Sequence, residues 1–301
     1  MSIFNYLVSK TIMHIPGPIV SFFAKGYIAG EQLDDAVRVG RKLNQQGMLL
    51  TIDILGEFIK TKAEAEYFMQ QCLEILETIH REKLDGNLSL KPTQMGMLLD
   101  EEFAFDNIRK IVAKAAELDN FVRIDMEDIE CTDKTLAFYR RLRDEFPKNV
   151  GVVLQAYLRR TPQDIEDLSD QPMHFRLCKG IYNEPRTAAW KDMVTINRSF
   201  VECLELMFKH GAYVGIATHD EKLVFEALRL INKYGLNRDQ YEFQMLLGVD
   251  PELRQILIDQ GHRLRVYLPY GESWMPYSRR RLKENPNIAK HALLQMLRGQ
   301  N

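Results

Sequence analysis

The chain has 301 residues, a formal charge of −2 and a 46% hydrophobic composition. Near-neutral charge removes the electrostatic basis for a nucleic-acid partner, and the hydrophobic share is ample for one large core. The four cysteines are widely spaced and form no CxxC, which reads as reduced thiols in a cytosolic chain and not as a disulfide framework.

No signal peptide is expected at the start, because the lysine of MSIFNYLVSK follows the apolar residues instead of preceding them. The uncharged run from Thr11 to Ala24 holds Pro16 and Pro18 and is too short to span a bilayer. Ile3, Phe4, Leu7, Val8 and Ile12 form an apolar stripe. Packing onto the body of the protein is its ordinary reading, and an interfacial contact with the inner face of the membrane is the alternative. A cytoplasmic protein is expected either way.

Helical periodicity covers Glu31–Gln46. Apolar runs then alternate with helical segments. The runs are Met48–Ile54, Leu88–Leu90, Phe121–Ile124, Val150–Leu154, Phe175–Cys178, Tyr213–Ala217, Tyr241–Leu246 and Leu264–Leu268. Helices are predicted between them over Lys62–Arg81, Phe103–Leu118, Thr132–Phe146, Pro162–Leu168, Arg186–His210, Glu221–Tyr234 and Pro251–Gly261. Strands alternating with helices imply a parallel sheet, and eight such units imply an α/β fold of the (β/α)8 TIM-type barrel class, which needs about 250 residues. The expected division is an N-terminal helical extension over 1–46 and a barrel over 47–301. An open doubly wound sheet fits less well, because a Gly-rich first turn is missing.

Active sites of such barrels gather at the C-terminal strand ends. Lys91, Asp125, Gln155, Arg176, Lys179, His219 and Glu242 are expected there. After the last strand, Tyr277, Arg280, Arg281 and Glu284 share one helix face. Two adjacent guanidiniums can clamp a carboxylate or phosphate bidentately, with Glu284 fixing the rotamer of Arg280. Singly, each residue has a plainer reading: a solvated helix face for the arginines, a surface loop for Lys91, a helix cap for Asp125 or for His219-Asp220. Their convergence on one end of one barrel favours a site.

GxGxxG, GxxxxGK[ST], HExxH and GxSxG are all missing, so a dinucleotide would be held without a Rossmann turn, by Arg176, Lys179 and the Gly180 amide. Two other classes remain open on the residues alone. One is a metal-dependent hydrolase or lyase using Asp125, Glu127, His219 and Glu242. The other is a ligand-sensing barrel without turnover.

The blocks LSLKPTQMG (88–96), RIDMED (123–128), VVLQAYLRRT (152–161), RLCKGIY (176–182), ATHD (217–220), YEFQMLLG (241–248) and RVYLPYG…YSRRRLKEN resemble proline dehydrogenase in its monofunctional bacterial form. The resemblance runs from about Asp53 onward, with the blocks in family order. It implies a flavoenzyme that oxidises L-proline to Δ1-pyrroline-5-carboxylate with FAD and passes electrons to a quinone. By the same resemblance, Lys91, Arg280, Arg281, Tyr267, Tyr277 and Leu246 bind substrate, and Asp125 and Arg176 are active-site residues. Met126, Gln155, Arg176, Lys179, Gly180, Ile181, Thr218 and His219 contact FAD, while Glu284 braces the arginine clamp; no metal is implied. The chain departs from the family pattern at Asn183, often aromatic, which puts the seating of the FAD adenosine in question, and at Leu247, often histidine; neither departure touches the reacting centre.

Overall fold

The computed structural model describes residues 26–56, 59–275 and 278. Tyr277, Arg280, Arg281, Glu284 and the N-terminal apolar stripe lie outside them.

Most of the short apolar runs become strands between a helix stop on one side and a capped helix start on the other. The elements are α1 (Leu33–Gln45), β1 (Leu49–Ile54), α2 (Lys62–Arg81), β2 (Gly86–Leu90), α3 (Glu101–Glu117), β3 (Val122–Ile124), α4 (Ile129–Glu145) and β4 (Val150–Gln155). They continue as α5 (Thr161–Asp167), β5 (His174–Cys178), α6 (Met193–Lys209), β6 (Tyr213–Ala217), α7 (Glu221–Tyr234), β7 (Tyr241–Leu246), α8 (Pro251–Asp259) and β8 (Leu264–Tyr270). Starts are set chemically. Thr61 and Glu64 form a capping box at α2, and Asp100, Asp128, Asp192, Asp220 and Asp250 each accept a backbone N–H at the start of the following helix.

The strands are all parallel and close in sequence order, with β1 pairing both β2 and β8. The class read from the sequence is therefore the class observed. α1 packs against β8 and β1. One predicted helix differs: α6 begins at Met193, not near Arg186. Residues before it are drawn off as a loop, in which Ala189 bridges Leu158 and the Trp190 amide donates to Tyr157 O. Asp192 supplies the first cap beyond that loop.

Alternation along each strand divides the protein into two regions of opposite chemistry. Leu50, Ile52, Leu88, Val152, Phe175 and Val266 are buried and belong to the apolar core. The intervening residues, among them Thr51, Asp53, Ser89, Arg123, Arg176 and Gln244, are also buried but polar. Cross-strand bonds place these in the barrel interior: Arg176 on β5 reaches Ser89 on β2 and Gln244 on β7. Barrel interiors are commonly filled by branched aliphatics; this one is filled by paired charges and amides. Burying them requires that each find a partner, and that requirement positions the site.

Candidate active site

Five interior side chains meet near the C-terminal ends of β1, β2, β3, β5 and β8. Lys91, just past β2, donates to both oxygens of Asp53 on β1, at 2.8 and 2.9 Å. Asp53 is fully buried and the Lys91 side chain is 15% exposed. Burial would lower the Lys91 pKa, but the carboxylates of Asp53 and Asp125 override it and hold the ammonium above the ordinary lysine range. Burial likewise holds the Asp53 carboxyl above its usual range, opposed by Lys91. A proton therefore stays on this pair, carried by the lysine, through neutral pH.

Asp125 follows β3 directly and is freed from capping because Asp128 caps α4. Its Oδ1 accepts from Arg176 Nη1 at 2.7 Å and from Ser89 Oγ at 2.7 Å, and its Oδ2 accepts from the Tyr267 hydroxyl at 2.9 Å. The Arg176 guanidinium also lies over the Tyr267 ring, 5.3 Å from its centroid. Both Asp125 oxygens are thus engaged by donors from β2, β5 and β8. Glu127, two residues on, accepts from the Thr93 amide at 3.0 Å and the Thr93 hydroxyl at 2.6 Å, fixing the turn that carries Lys91.

A second set of groups flanks this cluster. Gln155 ends β4, and its buried Oε1 has no partner while its Nε2 reaches Met126 O at 3.5 Å. Gly180, after β5, has φ of 103°, and a Cβ there would stand 2.1 Å from the Tyr157 ring. The backbone therefore passes close over Tyr157 in a conformation that favours glycine. Lys179 pairs with Asp220 at 2.7 Å, and Thr218 Oγ1 accepts the Asp220 amide at 3.1 Å. His219 Nε2 accepts the Leu246 amide at 2.8 Å. That contact assigns the ring proton to Nδ1 in the neutral imidazole. Ile181 is 40% exposed. A buried amide oxygen without a partner beside a glycine cradle fits a ligand bearing hydrogen-bond donors.

Glu242 does not belong with these tips. It is the second residue of β7, so its side chain sits toward the barrel floor, where Arg265 grips it from Nε at 2.6 Å and Nη2 at 3.0 Å. Asp125, Glu127, His219 and Glu242 are accordingly dispersed, each bonded to a different set of neighbours. Among the described residues no group of three or more His, Cys, Asp or Glu side chains is disposed to hold a metal. A cavity of about 620 Å³ opens on the opposite face, lined by Lys83, Asn87, Lys148 and Arg265 among others. Arg265 is already committed to Glu242 and Leu50 O, and the N-terminal face of such barrels serves stability.

Three residues escaped the sequence reading. Asp53, Ser89 and Gln244 lie inside predominantly apolar strand runs that do not single them out. The available signal was the period of two: Thr51 and Asp53 share one strand face, and so do Asn87 and Ser89.

Comparison with known proteins gives the family. The family model described as Proline dehydrogenase matches residues 36–292. Proline dehydrogenase 1 of Bacillus subtilis subsp. natto is 37% identical over 275 residues, 91% of each chain. Proline dehydrogenase of Deinococcus radiodurans is 35% identical over 280 residues, covering 92% of this chain and 90% of that one. Among solved structures, proline utilization A (PutA) from Bdellovibrio bacteriovorus inactivated by N-propargylglycine superposes with a TM-score of 0.83 at 25% identity. The match covers 93% of this chain and 34% of that one, so the chain spans about a third of that protein's length. No helix among the described residues is long and apolar enough to cross a membrane. With a family model matched from residue 36 to 292 and relatives similar over nine-tenths of its length, the chain belongs to the proline dehydrogenase family, an oxidoreductase family of proline catabolism.

Proposed function

We propose that this chain oxidises L-proline to Δ1-pyrroline-5-carboxylate by hydride loss from C5, with FAD as acceptor and a quinone as the onward electron sink. The observation that carries the reading is the network joining Asp53, Lys91, Asp125, Arg176 and Tyr267 at one barrel mouth. The Lys91 ammonium, held protonated by Asp53, binds the proline carboxylate together with Arg280 and Arg281, and Leu246, Tyr267 and Tyr277 wall the ring. Glu284 braces the clamp. Since Lys91 keeps its proton, it serves as an anchor and not as the base.

Proline must reach this site as the free amine, whose lone pair forms the C5=N bond as the C5–H bond breaks with its electrons. The nitrogen keeps its proton, giving protonated Δ1-pyrroline-5-carboxylate. The cationic site, with Lys91 and Arg176 both close, lowers the amine's proton affinity.

Met126, Gln155, Arg176, Lys179, Gly180, Ile181, Thr218 and His219 are the residues that would hold FAD. Gln155 Oε1, buried without a partner, and the Gly180 cradle support that fit. FAD bound there supplies the hydride acceptor, and Arg176 stabilises the negative charge that reduction brings. Barrel residues 47–301 form the catalytic unit and 1–46 an extension; contact of the extension with the inner face of the membrane would give a cytoplasmic protein access to membrane quinone.

The test is spectroscopic. Purified protein should carry FAD, proline added without oxygen should bleach its visible absorbance, and a soluble quinone should restore it. Absence of flavin, or flavin that proline leaves oxidised, overturns the reading.

A further inference from the structure

Besides Asp125 and Ser89, Arg176 has Gln244 on β7 as a hydrogen-bond partner, and through it reaches the floor. Arg176 Nε donates to Gln244 Oε1, and Gln244 Nε2 donates to Glu242 Oε1 at 2.6 Å. Glu242 is held in turn by Arg265 and by the Tyr213 hydroxyl at 2.9 Å. An unbroken sequence of contacts thus runs Arg265, Glu242, Gln244, Arg176, Asp125, Tyr267.

Within it the direction of the Gln244 amide is forced. Burial would raise the Glu242 pKa, but the Arg265 guanidinium overrides it and pushes the pKa down to about 2. An ionised carboxylate only accepts, so the Gln244 NH2 must face Glu242 and its oxygen must face Arg176. Gln244 can therefore fix the guanidinium without neutralising it, which a carboxylate in its place would do.

The neighbouring strand makes room for this arrangement. Gly215 on β6 is in register with Arg176 on one side and Glu242 on the other. A Cβ at Gly215 would stand 2.3 Å from Gln244 Nε2. No positive φ demands glycine at this position; the space taken by the amide does.

We propose that Gln244 is a positioning residue which, seated over Gly215 and tied to Glu242, holds Arg176 in the orientation that favours the reduced cofactor. This rests on the reading of Arg176 as the cation beside the flavin. A loosened guanidinium stabilises reduced flavin less, so the potential becomes more negative and hydride transfer slows. The hydrogen bonds of Gln244 go to Arg176 and Glu242 and not to Lys91 or Asp53, so proline affinity should change less than the potential.

The experiment measures the midpoint potential of the bound flavin, the limiting rate of its reduction by proline and proline KM, in the holoenzyme and in Gln244→Leu, Gly215→Ala and Arg176→Met. Gly215→Ala removes no polar atom and displaces the amide by its methyl group alone. Both Gln244→Leu and Gly215→Ala are expected to weaken the reduction equilibrium about tenfold, or roughly 30 mV for two electrons. The limiting rate should fall while KM stays near the parent value. If Arg176→Met shifts the potential but neither of the other two does, Gln244 is merely structural and the proposal fails. If none of the three shifts it, the placement of Arg176 beside the flavin is wrong and the proposal falls with it.

Discussion

Lys91 spends two of its three ammonium hydrogens on Asp53, a carboxylate with no solvent exposure, at 2.8 and 2.9 Å. The cation that the proposed function assigns to the proline carboxylate is thereby held in place without substrate. Asp53→Asn leaves that largely buried ammonium without its hydrogen-bonded carboxylate. Breaking one partner of a buried pair costs about 3–5 kcal/mol, measurable as a lower urea midpoint with an unchanged slope. Lys91→Met removes a charge-assisted contact worth about 1.5–3 kcal/mol, so proline KM should rise roughly 10- to 100-fold.

On the proposed function, Arg176 acts on developing charge more than on binding. Arg176→Met removes the donor and leaves Asp125 with Ser89 and Tyr267 as its hydrogen-bonding neighbours. Loss of one such donor commonly costs about 10²- to 10³-fold in kcat. Steady-state kinetics should show that loss in kcat with a much smaller change in KM.

The barrel floor predicts acid sensitivity. His174, stacked 5.0 Å from the Tyr213 ring, is pushed down to about 4 by burial and by Arg123. Glu242 is depressed to about 2 by Arg265 against the effect of burial. Each group binds its proton more weakly in the folded chain than in the unfolded one. Their stabilisation is complete above the unfolded values, about 6.5 and 4.3. It is lost as pH falls, first from 6.5 toward 4 through His174, then from the low fours toward 2 through Glu242. Unfolding free energy measured against pH should decline across the first window, and His174→Phe should flatten that decline.

Gly180 bears a backbone conformation that other residues adopt only under strain, of order 1–3 kcal/mol. Gly180→Ala adds a collision with the Tyr157 ring, 2.1 Å from the new methyl position. The variant should melt at lower temperature and release flavin more readily on dilution, read as the ratio of flavin to protein absorbance after gel filtration.

Strand positions and their ends were legible because parallel strands buried on both faces appear as apolar runs punctuated by caps. Lys62–Arg81 and Glu221–Tyr234 are helices over those same spans, since Thr61 and Asp220 announce their starts. Height within a strand was less legible. Glu242 reads as a strand residue like Leu246, yet four residues separate the barrel floor from its mouth. Asp53 was invisible for a related reason. A carboxylate in LLTIDI makes sense only with its partner, and Lys91 comes 38 residues later. Gly215 could not be understood before the Gln244 amide was placed above it.

The central claim concerns which bond breaks at the mouth formed by Lys91, Asp125 and Arg176. Rapid mixing of the flavin-loaded protein with proline deuterated at C5, and separately at C2, tests it without oxygen present. Slower bleaching with the C5 label and unchanged bleaching with the C2 label is the predicted result. Slowing by the C2 label alone would place the hydride at the wrong carbon and contradict the account.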